Sequence, residues 1–217
     1  MKLIKEQDED TLTELMKEQL KGEVDIYVFT ESTQTKMTAE TEKFADDLAE
    51  ISDKIHLTVY SASGDPIEAR QFGIKQGPAF VVCPRGSTVV RLRIYGNPYG
   101  YMMNAILSVI RDVSLNEADL SIQSVEQLVG IKKPTHVEIY TLPTCRYSPS
   151  AVILAHRLAM LNHNITVDAI DAMTFPHLAD QNGVGNTPHV IVNHHDEFIG
   201  LPEEKEFTRL VVEGSQA

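Results

Sequence analysis

The sequence predicts an α/β chain made of two copies of one unit, each a four-stranded mixed sheet flanked by helices. Three recurrences in the same order predict the duplication. Asp25-Ile26-Tyr27-Val28-Phe29 is echoed by Glu138-Ile139-Tyr140-Thr141-Leu142. Gly77-Pro78-Ala79-Phe80-Val81-Val82 is echoed by Thr187-Pro188-His189-Val190-Ile191-Val192. Ile94-Tyr95-Gly96-Asn97-Pro98 is echoed by Phe198-Ile199-Gly200-Leu201-Pro202. The offsets are 113, 110 and 104 residues, shrinking as they should when loops differ in length between copies.

Each element follows from its pattern. Residues 26–29 are β-branched and aromatic, hence a strand. Phe44, Leu48 and Ile51 recur at helical spacing in a helix over 39–51. A strand at 55–60, a short helix at 66–72 and strands at 79–82 and 89–95 follow, then a helix over 99–113. The second copy gives a strand at 137–142, a helix at 149–161 and a strand at 165–170. A short helix near 175–181, strands at 189–193 and 197–199 and a helix at 203–212 complete it. The order is βαβ, then α, then a ββ hairpin, then α, with the first two strands of each copy parallel and the last two antiparallel. Thr11-Leu12-Thr13-Glu14 matches a capping box ahead of an N-terminal helix, and Ser124–Leu128 suits a short helix before the second copy. The polar stretch Asn116-Glu117-Ala118-Asp119 puts the boundary between units 1–118 and 119–217.

Composition narrows the function. The 217 residues carry 31 acids against 19 Lys and Arg, and a net charge of −12 disfavours nucleic acid and anionic membrane as partners. No apolar run is long enough to span a membrane, and the polar start lacks the apolar core of a secretory signal. A cytoplasmic protein is expected. The two cysteines, Cys83 and Cys145, make neither a disulfide framework nor a CxxC motif.

Cys145 falls at a strand-to-helix turn, Leu142-Pro143-Thr144-Cys145-Arg146-Tyr147-Ser148-Pro149. Unpaired amides and the positive end of the helix dipole face such a position, and Arg146 adds positive charge. Both favour thiolate, the nucleophile of disulfide exchange. This turn, the element order and the proline opening the third strand of each copy resemble the thioredoxin/glutaredoxin fold. More narrowly, the duplicated plan resembles the tandem-domain protein disulfide oxidoreductases, also called glutaredoxin-like proteins. The likeness covers roughly residues 20 to 212. The paired units at the N-terminus of alkyl hydroperoxide reductase flavoproteins are similar in plan, although the chain holds no flavin-binding portion.

The resemblance implies a reactive Cys145, a cis Pro188 beside it, and a Thr187 edge that takes an extended peptide as an added strand. Arg146 and Tyr147 would flank the bound substrate. Gly77 and Pro78 match Thr187 and Pro188 in the first copy. Ser148 stands where the family carries its resolving cysteine. A hydroxyl forms no S–S bond, so an external thiol must resolve any mixed disulfide on Cys145. In the first copy Ser32-Thr33-Gln34-Thr35 occupies the matching turn, so Ser32 and Thr35 mark a site without sulfur.

The expected function is therefore thiol–disulfide exchange by a monothiol route. The partners are protein or peptide disulfides and a small-molecule thiol or reductase, and no tightly bound cofactor or metal is expected. The alternative is a non-catalytic, peptide-binding scaffold of the same fold. Iron–sulfur carriage is disfavoured because bulky Arg146 and Tyr147 replace the small and apolar residues of that class. Cys83, at the end of a strand, is expected in the core, and His189 as a half-buried strand residue. His156 lies too far along its helix to act on Cys145. Asp168 and Asp171 flank the central strand of the second copy, and an acid near this site can act as proton acceptor, but the pattern does not bring Asp168 close enough to assign that role. His194-His195-Asp196-Glu197 has the composition of a metal site but is expected to be a solvated hairpin turn.

Overall fold

A computed structural model describes residues 14, 16, 18–31, 36–201 and 203–216, without the side chain of Asp196. Contacts divide the chain into two compact units, residues 1–90 with 110–117, and residues 91–109 with 118–217. The 1–118 and 119–217 halves expected from the sequence differ from this in the segment 91–109.

In the first unit, β1 (Val24–Thr30), β2 (Ile55–Ser61) and β3 (Ala79–Pro84) lie in the order β2-β1-β3. β1 runs parallel to β2 and antiparallel to β3. Helix α1 (Lys36–Ala49) makes the β1–β2 crossover and buries Thr41, Phe44, Ala45 and Leu48, the face its spacing predicts. Phe44 meets Phe80 of β3 edge-on, ring centroids 5.8 Å apart. Helix α2 (Pro66–Phe72) opens on a proline, whose missing N–H would have no helical partner there. It closes on Gly73 at φ 67°, where the glycine N–H reaches back to the last carbonyls. The capping box at Thr11–Thr13 lies outside the described residues.

The second unit orders its strands β4-β6-β5-β7-β8, with β4 (Leu92–Tyr95), β5 (Thr135–Thr141), β6 (Ile165–Asp171), β7 (His189–Val192) and β8 (Asp196–Ile199). β6 is parallel to both β4 and β5, whereas β5–β7 and β7–β8 are antiparallel. β4 is shorter than the 89–95 run the pattern predicts, and its pairing with β6 accounts for the grouping of 91–109 with this unit. After β4 comes α3 (Met102–Leu115). Then follow α4 (Ile122–Leu128), capped by the Ser121 hydroxyl on the Ser124 N–H, α5 (Ser148–Leu161), α6 (Pro176–Gln181) and α7 (Glu204–Gly214). Val152, Ala155, Leu158 and Ala159 of α5, with Phe207 and Val211 of α7, are buried with Val137, Ile139, Val167 and Val190 of the sheet. Each large apolar side chain so buried is worth about 1.5–3 kcal/mol. Among the described residues no helix is long and apolar enough to cross a membrane.

A buried carboxylate ties β1 to the turn after β3. Asp25, only 3% exposed, pairs with the Arg85 guanidinium and accepts from the Gly86 N–H at 2.7 Å. Burial pushes its pKa up, but the Gly86 amide and Arg85 outweigh that and hold it below the usual carboxylate range. A depressed carboxyl contributes stability above its unfolded pKa and loses it as pH falls through the folded one. Asp25→Asn should therefore destabilise the fold by roughly 1–3 kcal/mol at neutral pH. Urea melts of parent and variant should converge as pH drops below about 4.

Candidate active site

The segment joining β5 to α5 places the cysteine. The Cys145 N–H closes a turn on the Leu142 carbonyl at 3.0 Å. Helix α5 then opens at Ser148, with Tyr147 as its N-cap and Pro149 in the first turn. The sequence pattern puts the helix one residue later. Cys145 is partly exposed, Arg146 and Tyr147 are exposed, and Ser148 is sealed from solvent. Pro188 is buried at the start of β7, and the Thr187–Pro188 peptide is cis. The structure thus brings Cys145, Ser148, Thr187 and Pro188 together, and the Cys145 Sγ lies 3.2 Å from the Thr187 carbonyl oxygen.

Two sets of forces compete at this sulfur. Burial favours the neutral thiol, and the thiol can donate to the Thr187 carbonyl. Against this, the Ser148 side chain, the Thr187 side chain and the amides of Tyr147 and Ser148 hydrogen-bond the thiolate. These win, and the pKa falls below that of an ordinary thiol. Among the described residues nothing else competes for a hydrogen bond from the buried Ser148 hydroxyl. The leading causes of the lowering are thus the Ser148 and Thr187 side chains, with the helix-opening amides expected from the sequence behind them. The Arg146 charge is not among them.

The turn is buttressed by a segment to which the sequence pattern assigns no role. The Tyr101 N–H donates to the Pro143 carbonyl at 3.0 Å. Gly100 sits at φ +58°, and a Cβ there would fall 2.5 Å from that same carbonyl oxygen. Gly96, at φ +99°, packs so tightly on Asp171 that a Cβ would lie 2.6 Å from the aspartate Cβ. Glycine alone tolerates this combination of backbone and approach. The signal in the sequence is Gly96-Asn97-Pro98-Tyr99-Gly100, a turn-forming cluster with two glycines.

The two acids flanking the central strand are engaged in structural contacts. Asp168 pairs with Arg93 Nε and with His136 Nε2, the latter at 2.9 Å. Burial opposes its ionisation, but His136 and Arg93 hold its pKa below the usual range. Asp171 accepts from the Thr174 hydroxyl at 2.5 Å and the Met173 N–H at 3.0 Å, fixing the turn after β6. His189 is fully buried rather than half-buried, with Nε2 3.3 Å from Glu197. His156 lies on the buried face of α5. His194 is exposed on the hairpin turn, as expected, and its ring comes within 4.8 Å of ligand-bearing atoms of His136 and Glu138.

In the first unit the Gly77–Pro78 peptide is also cis. The Gly77 N–H is taken by the Glu31 carboxylate at 2.8 Å. Ser32 and Thr35 lie outside the described residues. Cys83 is buried and free of disulfide, its Sγ donating to the Val89 carbonyl at 3.4 Å.

The fold and this site define a protein of tandem thioredoxin folds. Residues 135–212 match the thioredoxin domain family. A protein disulfide oxidoreductase from Aeropyrum pernix superposes with a TM-score of 0.87 at 27% identity, over 98% of this chain and 94% of that one. The N-terminal domain of the alkyl hydroperoxide reductase AhpF from Enterococcus faecalis superposes with a TM-score of 0.86 at 19% identity, over 95% of this chain and 99% of that one. The AhpF component of alkyl hydroperoxide reductase from two strains of Staphylococcus epidermidis is 26% identical over 136 residues, which is 63% of this chain. The chain spans about a quarter of the length of these curated relatives, 24% of each.

Two substitutions probe the geometry. Ser148→Ala removes the leading hydrogen bond to the thiolate and should slow iodoacetamide alkylation of Cys145 at pH 7 by roughly 3- to 10-fold. Gly100→Ala displaces the Pro143 carbonyl and should slow the same reaction, while His195→Ala, in an exposed turn, should leave it unchanged.

Proposed function

We propose that the chain is a thiol–disulfide oxidoreductase that works by a monothiol route through Cys145. One observation carries the reading. A partly exposed thiol with a depressed pKa lies against the Thr187–Pro188 bend, so nucleophile and peptide-accepting edge adjoin. The similarity to a protein disulfide oxidoreductase over nearly the full chain supports the same chemistry.

In the first step the Cys145 thiolate attacks one sulfur of a substrate disulfide. An S–S bond forms to Cys145, and the other half leaves as a thiolate that takes up a proton. Ser148 supplies no second sulfur. An external thiolate therefore attacks the captured half, forms a disulfide with it and returns Cys145 to thiolate. The amides of Tyr147 and Ser148 and the Ser148 hydroxyl stabilise the sulfur both as nucleophile and as leaving group. Arg146 and Tyr147, exposed beside the cysteine, are placed to contact the substrate chain, and the Thr187 edge would align it as an added strand. The substrates are protein or peptide disulfides, and the reductant is a small-molecule thiol or a reductase. A reducing compartment such as the cytoplasm keeps the thiol available.

Mass spectrometry after incubation with a mixed disulfide of a small thiol should show one adduct per chain, on Cys145. It should persist until external thiol is added, and Cys145→Ser should abolish it. Spontaneous release without added thiol, or an adduct rate no faster than that of an unstructured peptide cysteine, would refute the monothiol route. Ser148→Cys should restore internal resolution and release the adduct unaided.

A further inference from the structure

We propose that His136, Glu138 and His194 form a binding site for one divalent transition-metal ion of the zinc class, separate from the thiol. An imidazole nitrogen from each histidine and a carboxylate oxygen of Glu138 lie within 4.8 Å of one another. His136 and Glu138 alternate on one face of β5, and His194 comes from the β7–β8 turn.

A second observation points to a missing ligand. Glu138 Oε2 is sealed from solvent yet, among the described residues, makes no hydrogen bond, although His194 Nδ1 is 3.2 Å away. An anionic oxygen withdrawn from water and unsatisfied by any N–H or O–H is costly unless a cation meets it. The turn that carries His194 is itself fixed. Asn193 and His194 both adopt left-handed backbone, φ 49° and 62°. The Asn193 amide oxygen accepts the His136 N–H at 2.8 Å, and its nitrogen donates to the Gly214 carbonyl at 2.8 Å.

His136 is oriented as metal-binding histidines generally are. Its Nε2 lies 2.9 Å from Asp168 Oδ2, a contact in which Nε2–H donates to the carboxylate and Nδ1 is the nitrogen left for an ion. Two imidazoles and one carboxylate suit zinc, cobalt or nickel and not magnesium or calcium, which take oxygen ligands. Atoms bound to one such ion at about 2.1 Å lie roughly 3.5 Å apart in a tetrahedron. The observed spread therefore closes by rotation of His194, which is 67% exposed. That exposure leaves room for water as the fourth ligand. The bound ion would clamp the β7–β8 turn onto β5.

The test uses the full chain carrying Cys145→Ala, which removes the exposed thiol as a ligand. Cobalt(II) titration should give a visible absorption band saturating at one ion per chain and displaced by zinc. Competition with a chromogenic chelator should show zinc affinity falling about 10- to 100-fold in His194→Ala and in Glu138→Gln, with His195→Ala unchanged. Absence of the cobalt band, or undiminished zinc affinity in His194→Ala, overturns the proposal. Alkylation of Cys145 in the otherwise native His194→Ala chain should be unaltered, so failure here leaves the thiol chemistry standing.

Discussion

The environment of a single sulfur is the constraint around which the second unit is arranged. Cys145 is drawn toward the neutral form by burial and a neighbouring carbonyl, and toward the anion by the Ser148 hydroxyl and two amides. The second pull outweighs the first and lowers the pKa of the thiol. Holding such a balance requires position more than charge. The β5–β7 register sets where residue 188 lies along the sheet, and α5 must begin at Ser148 for its amides to aim correctly. The glycine-lined segment 96–100 prevents the intervening turn from shifting.

The same sheet carries a polar cluster at the β5–β6 pair. Glu138 and Asp168 are register partners on adjacent parallel strands, and like charges side by side are unfavourable without compensation. Arg93 and His136 answer Asp168, whereas Glu138 is met, among the described residues, by His194 from the hairpin turn. A small fold can retain such groups when ligands or partners use them, because an apolar replacement would be at least as stable.

Local patterning makes most of the architecture legible. Helices α1 and α5, the paired repeats and the prolines opening β3 and β7 follow from spacing and residue type, because each depends on neighbours in sequence. The placement of Cys145 is readable for the same reason. What escapes is long-range. The pairing of Leu92–Tyr95 with β6 depends on strands more than 70 residues apart. The approach of Gly100 to Pro143 leaves no local trace beyond a glycine. The solvated turn at His194 and His195 is legible, but the approach of His194 to Glu138 is not, because it depends on two left-handed residues that turn the chain back. The weight assigned to Arg146 fails for a different reason: a neighbouring charge that points into water is screened, whereas a buried hydroxyl in contact is not.

The Glu31 carboxylate on the Gly77 amide has a wider consequence. A chain that duplicates a substrate-docking bend risks presenting two, and a second bend without sulfur would sequester clients unproductively. Under the proposed function, the Glu31 carboxylate at the adjoining strand end occupies the donor that an added strand would need. The hydrogen-bonding demand of the Gly77 amide is thereby met within the first unit itself.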